Sequence, residues 1–152
     1  DFPLLESWIT DANLLLQFSG TDFSYPLTKS QILNYQEKHL DRTFYLGYTS
    51  DNIPFAFGEI IPQESGIPRI ARVLVGRPEM RGRSLGKYFI KLLLNECKQR
   101  FDCEEAELFV WNENHQAISC YKAVGFNYLP EKHRTLIHDE KSYHILRMTF
   151  KF

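Results

Sequence analysis

The segment from Arg69 to Phe101, "RIARVLVGRPEMRGRSLGKYFIKLLLNECKQRF", constrains the fold more than any other part of the chain. It joins a β-branched apolar run to a turn carrying three glycines and four basic residues between Gly76 and Lys87, and then to a run with helical periodicity. Leu85, Phe89, Leu93 and Cys97 recur at four-residue spacing with Leu92 beside them, while Lys87, Lys91 and Lys98 fall on the water side. That is the clearest amphipathic helix in the sequence. A glycine-rich turn opening a helix presents unpaired backbone N–H groups and the positive end of the helix dipole, so it suits a phosphate.

The flanking pattern places this unit in a mixed sheet. "FPLLESWI" and "LTKSQILNYQEKHL" predict helices, the second with Thr28 or Ser30 as N-cap. "TFYLGYTS", "PFAFGEII" and "RIARVLV", separated by short turns, predict an antiparallel three-strand meander. "AELFVW" predicts a strand parallel to the one before Gly76, with the amphipathic helix as crossover. "NHQAISCYKAV" predicts a short helix stopped by Gly125, and "SYHILRMTFKF" a closing strand reached through a polar loop, "PEKHRTLIHDEK". The fold class expected is α/β (α+β): a mixed, mostly antiparallel sheet of six to seven strands flanked by helices.

With 152 residues, the chain suits one domain spanning 1–152. The formal net charge is -1, so no global field attracts nucleic acid or an anionic membrane, and anion binding must be local. No apolar run approaches the length of a membrane span. The odd number of cysteines, Cys97, Cys103 and Cys120, has no framework spacing and predicts free thiols in a reducing, cytoplasmic setting. The histidines show no HExxH or CxxC context, so no metal site is expected. Since the chain opens on Asp1 without a signal peptide, a first strand is expected to precede it.

Three phosphate-loop templates compete for Gly76 to Lys87. Walker A fails because five residues separate Gly76 and Gly82, and Arg83 stands where its lysine belongs. The dinucleotide pattern fails because Gly82-Arg83-Ser84 lacks the second glycine, and a meander contradicts the required βαβ unit. The third, R-x-x-G-x-G/A, is met by "RGRSLG" at all positions but one. That phrase resembles the pyrophosphate loop of the GNAT superfamily of N-acetyltransferases. A later block, "VWNENHQAISCYKAVGF", resembles the superfamily's V-x-x-x-N-x-x-A-x-x-x-Y-x-x-x-G-F through Val110, Asn114, Ala117, Tyr121, Gly125 and Phe126. The two blocks lie one helix and one strand apart, as in that superfamily.

The resemblance implies a GNAT-like sheet with a splayed parallel pair, and acetyl-CoA as cosubstrate. The clamp for its pyrophosphate would be Arg81, Gly82, Arg83, Ser84, Leu85, Gly86 and Lys87. Leu74 and Val75 would offer backbone groups to the pantetheine amides, and Asn114 would bond the same arm or cap its helix. Tyr121 aligns with the superfamily's general acid: a phenol titrating near ~10 is protonated at neutral pH and suits a thiolate whose conjugate acid lies near ~8.5. Ser84 departs from the usual glycine, and a right-handed helical backbone there would make serine inexpensive. Cys120, without a placed histidine, reads as a spectator thiol.

The base is open. The superfamily's strand glutamate is replaced by Phe109, leaving Glu59, Glu79, Glu107 or relayed water, with Glu59 preferred. The aromatic, mixed-charge N-terminal region lacks an acidic groove and favours a small amine or a peptide N-terminus over a polycationic aminoglycoside. The expected partners are acetyl-CoA and an amine, for a monomer or homodimer. The alternative is a non-catalytic acyl-CoA-binding or regulatory module on the same fold.

Overall fold

A computed structural model describes residues 2–152. Three short helices come first: α1 (Phe2–Trp8), α2 (Ala12–Ser19) and α3 (Lys29–Lys38). The Asp11 side chain accepts from Leu14 N at 2.8 Å to start α2, a helix the sequence reading missed. Thr28 rather than Ser30 caps α3. The meander follows as β1 (Thr43–Tyr48), β2 (Pro54–Ile61) and β3 (Arg69–Val75), then α4 (Leu85–Phe101), β4 (Glu105–Trp111), α5 (His115–Val124), β5 (Asn127–His138) and β6 (Lys141–Lys151).

The six strands form one sheet in the order β1-β2-β3-β4-β6-β5, antiparallel except for β3 and β4. Apolar alternation gives the sheet a core on each face. Phe55, Ile60, Ile70, Leu108 and Met148 pack with Phe89, Ile90, Leu93, Leu94 and Cys97 of α4. Phe57 and Leu74 pack with Leu5, Trp8, Leu15, Ile32 and Tyr35 from the N-terminal helices. Each large apolar side chain fully buried this way contributes roughly 1.5–3 kcal/mol. The buried stripe of α4 includes Ile90 and Leu94, whereas Leu92, expected beside it, is 41% exposed.

The stretch "PEKHRTLIHDEK", expected as a loop, is mostly strand. β5 pairs with β6 through a two-residue turn in which Asp139 and Glu140 take φ of 48° and 63°, the conformation of a tight hairpin. Periodicity concealed it because β5 is exposed on both faces over most of its length, so no apolar alternation was needed. Its register jumps between Leu129 and Arg134, so four residues bulge out and Arg134 re-enters the ladder opposite Ile145.

Candidate active site

The parallel pair β3 and β4 is joined only at Arg69↔Glu107 and Ile70↔Leu108. Beyond that rung the strands part, leaving the β4-facing backbone of Ala71 to Val75 without a ladder partner. The closed end is held by Glu107, buried at the Arg69↔Glu107 rung. It accepts from Gln63 Nε2 at 2.7 Å, from Arg69 Nε at 2.8 Å, and from Arg147 of β6. Burial pushes the Glu107 carboxyl up, but the bonds from Gln63, Arg69 and Arg147 outweigh it and hold the group below the usual carboxylate range.

Into the parted strands opens a cavity of about 800 Å³. The loop before α4 forms one end. Gly82, at φ 73°, needs a residue without Cβ. Ser84 takes φ 62° and ψ 4°, so the expectation of a right-handed backbone there is corrected: the loop turns through the left-handed region at both positions. Ser84 makes no side-chain cap bond to the 17-residue helix, whose first N–H groups therefore stay uncommitted. Arg81 donates from Nε to Val75 O at 3.0 Å and from Nη2 to Gly76 O at 3.3 Å, bracing the loop against the end of β3. One acceptor on Val75 is thus already engaged. The loop is buttressed from below, since a Cβ on Gly76 would lie 1.9 Å from the Trp8 ring.

Arg81, Gly82, Ser84, Gly86 and Lys87 all line the cavity, and so do Leu74, Val75, Asn114 and Tyr121. Arg83 and Leu85 do not. Asn114 caps α5, its Oδ1 accepting from Ala117 N at 3.2 Å. Tyr121 is 8% exposed and lines the cavity, and its hydroxyl has no hydrogen-bond partner among the described residues. Burial, with the neighbouring Cys120 thiol, pushes the phenol well above its ordinary value, so it stays protonated. Burial also raises Cys120, which Lys87 only partly opposes.

None of the three glutamates weighed as a base lines this cavity. Glu79 is exposed in the loop, and Glu107 is committed to its clamp. Glu59 is 0% exposed, bound by Arg72 and by Tyr35 Oη at 2.9 Å. Burial pushes its carboxyl up against the pull of Arg72. The cavity wall instead presents Arg72, which also pairs with the half-exposed Asp22. Arg72 occupies φ 51° in a bulge where β3 carries one residue more than β2 between Ala71 and Leu74. Sequence periodicity carried no signal for that bulge, because an arginine in this conformation is uncommon. Asp22, in a turn with no motif around it, was missed for the same kind of reason.

The family model of the acetyltransferase (GNAT) family matches residues 9–126. The chain belongs to that family. It is an acyltransferase, and the GNAT-like sheet and element order expected from the paired blocks are present. The spermine/spermidine N(1)-acetyltransferase of Bacillus subtilis (strain 168) is 27% identical over 129 residues, covering 79% of this chain and 85% of that protein. Among solved structures, the spermidine N-acetyltransferase from Vibrio cholerae in complex with CoA and spermine superposes with a TM-score of 0.79 at 15% identity, over 99% of this chain and 89% of that one. A domain from Methanocaldococcus jannaschii superposes at 0.71 and 17% identity, over 99% and 92%. These likenesses establish the fold. Among the described residues no helix is long and apolar enough to cross a membrane, and no cluster of metal-ligating side chains occurs.

Proposed function

We propose that the protein transfers the acetyl group of acetyl-CoA directly to a primary amine, the chemical class to which the relatives' named polyamines belong. The observation that carries this reading is Tyr121: a buried, protonated phenol with an unbonded hydroxyl, in the same cavity as an uncapped helix N-terminus and an unpaired strand edge. The pyrophosphate takes the N–H groups at the start of α4, with Arg81 and Lys87 supplying charge and Arg83 and Leu85 shaping the loop. The pantetheine arm runs along Leu74 and Val75, in the manner of an added strand, towards Asn114. The neutral amine nitrogen attacks the thioester carbon, the C–S bond breaks, and Tyr121 protonates the departing thiolate.

The proton lost by the amine goes to Asp22 or to water beside it, because Asp22 is the carboxylate on the cavity wall. Glu59 acts through Arg72, holding the guanidinium that orients Asp22, and is a positioning residue. Replacing Tyr121 with Phe deletes only the hydroxyl. Turnover, followed as released thiol, should fall well over tenfold, with the acetyl-CoA dissociation constant from calorimetry kept within about twofold. Unchanged turnover would remove Tyr121 from the chemistry. Tight acetyl-CoA binding with no thiol release across a broad amine panel would point instead to a coenzyme-binding module.

A further inference from the structure

Away from the phosphate loop, the cavity is walled by cations. Arg42, Arg69, Arg72 and Arg134 line that end, and Asp22 is the lining carboxylate there. Behind the wall, Glu59 pairs with Arg72, while Glu107 is shared by Arg69 and Arg147. Five guanidiniums therefore draw on three carboxylates. Among the described residues, Arg42 and Arg134 are in ion pairs with none of them. Arg42 donates to the neutral Tyr35 hydroxyl, and Arg134 lies 4.3 Å from the centre of the Phe109 ring.

Taking acetyl transfer to an amine as the reaction, we propose that the acceptor is a small primary amine that also carries a carboxylate, bound by Arg134. A guanidinium fork matches a carboxylate in geometry as well as charge. Phe109 and Trp111, also on the wall, bound the acceptor with aromatic surface. The same positive wall disfavours a second or third ammonium, so a polycation is a poor fit. It also favours the neutral form of the attacking amine, which the chemistry requires. A bulge precedes Arg134 in β5, and Arg134 re-enters the ladder opposite Ile145.

The test compares kcat/KM, read as thiol release at saturating acetyl-CoA, for an α-amino acid, its carboxamide and spermidine. The amino acid is expected to exceed both others by at least tenfold. Arg134 is exposed on β5, so Arg134→Glu should fold, as its melting temperature will report. That variant is expected to cut the ratio of amino acid to spermidine by at least tenfold, chiefly through KM for the amino acid. Spermidine outrunning the amino acid, or a ratio unmoved by the charge reversal, overturns the acceptor class and leaves acetyl transfer standing. Thiol release from none of the three, with acetyl-CoA bound in calorimetry, overturns the reaction and the acceptor class with it.

Discussion

Gly76 shows how a single residue ties the N-terminal helices to the loop before α4. Its Cα faces the Trp8 ring so closely that any Cβ would overlap it, and its N–H donates to Phe55 O at 2.9 Å. Gly76→Ala must push Trp8 out of the core or lift the loop off β3. The cost expected is about 1–3 kcal/mol, the range for overpacking a filled site. A melting temperature within a degree of the parent would contradict this account, and a weakened acetyl-CoA affinity is expected alongside the loss. Ser84, by contrast, holds a left-handed conformation that costs a non-glycine residue about 1 kcal/mol. It leaves the helix start open to an anion, since its hydroxyl does not cap it.

At the scale of elements, β5 and β6 form a hairpin whose turn residues are poorly matched to the turn. Asp139 and Glu140 both occupy the left-handed region, where Asn-Gly is the favoured pair. The double replacement Asp139→Asn with Glu140→Gly should raise stability by about 1 kcal/mol, measured as a shift in denaturant midpoint at constant slope. A lowered midpoint would mean that the turn is not the one described. Arg72 is a second mismatch between residue and backbone, held at φ 51° by its bonds to Glu59 and Asp22 and by the Tyr35 ring 4.5 Å from its guanidinium. The extra residue in β3 moves Leu74 onto the N-terminal core while Ile70 stays on the α4 side. One bulge thereby turns the free edge of β3 and places Arg72 on the cavity wall.

Across the whole molecule, the parted strands need one end closed, and Glu107 closes it by binding side chains from β3 and β6. Because its folded-state carboxyl titrates below the ordinary value, its ionised form adds stability that is full above the unfolded value of roughly 4.3. That stability is lost as pH falls through the folded value. Glu107→Gln leaves Arg69 and Arg147 without their anion, a cost of about 3–5 kcal/mol for a broken buried pair. The gap in melting temperature between parent and variant should be widest near pH 7 and close as pH drops below about 4. An equal gap at pH 7 and pH 3 would refute the clamp.

Legible in the sequence were the features that local chemistry alone dictates. The helix after Gly76 announced itself by apolar spacing, and the meander by turns between alternating runs. The glycine-rich loop before α4 stood out by glycines and basic residues at a countable spacing, and the second block singled out Asn114 and Tyr121, which line the same cavity. The hairpin strand β5 was illegible because its residues face solvent on both sides and its stability comes from β6, not from its own pattern. Ser84 and Arg72 both took left-handed conformations against their preference, and Arg72 is held there by its bonds to Glu59 and Asp22. The charged end of the cavity lay outside any motif: Asp22, Arg42, Arg72 and Arg134 come from separate elements, and only their meeting at one cavity gives them a shared charge. The sequence by itself determined the glycine-rich turn that opens α4 at one end of the cavity, because N–H groups and glycines act within one turn. What the far wall of the cavity presents was decided by the tertiary structure, because an electrostatic wall is a sum over side chains that are neighbours only after folding.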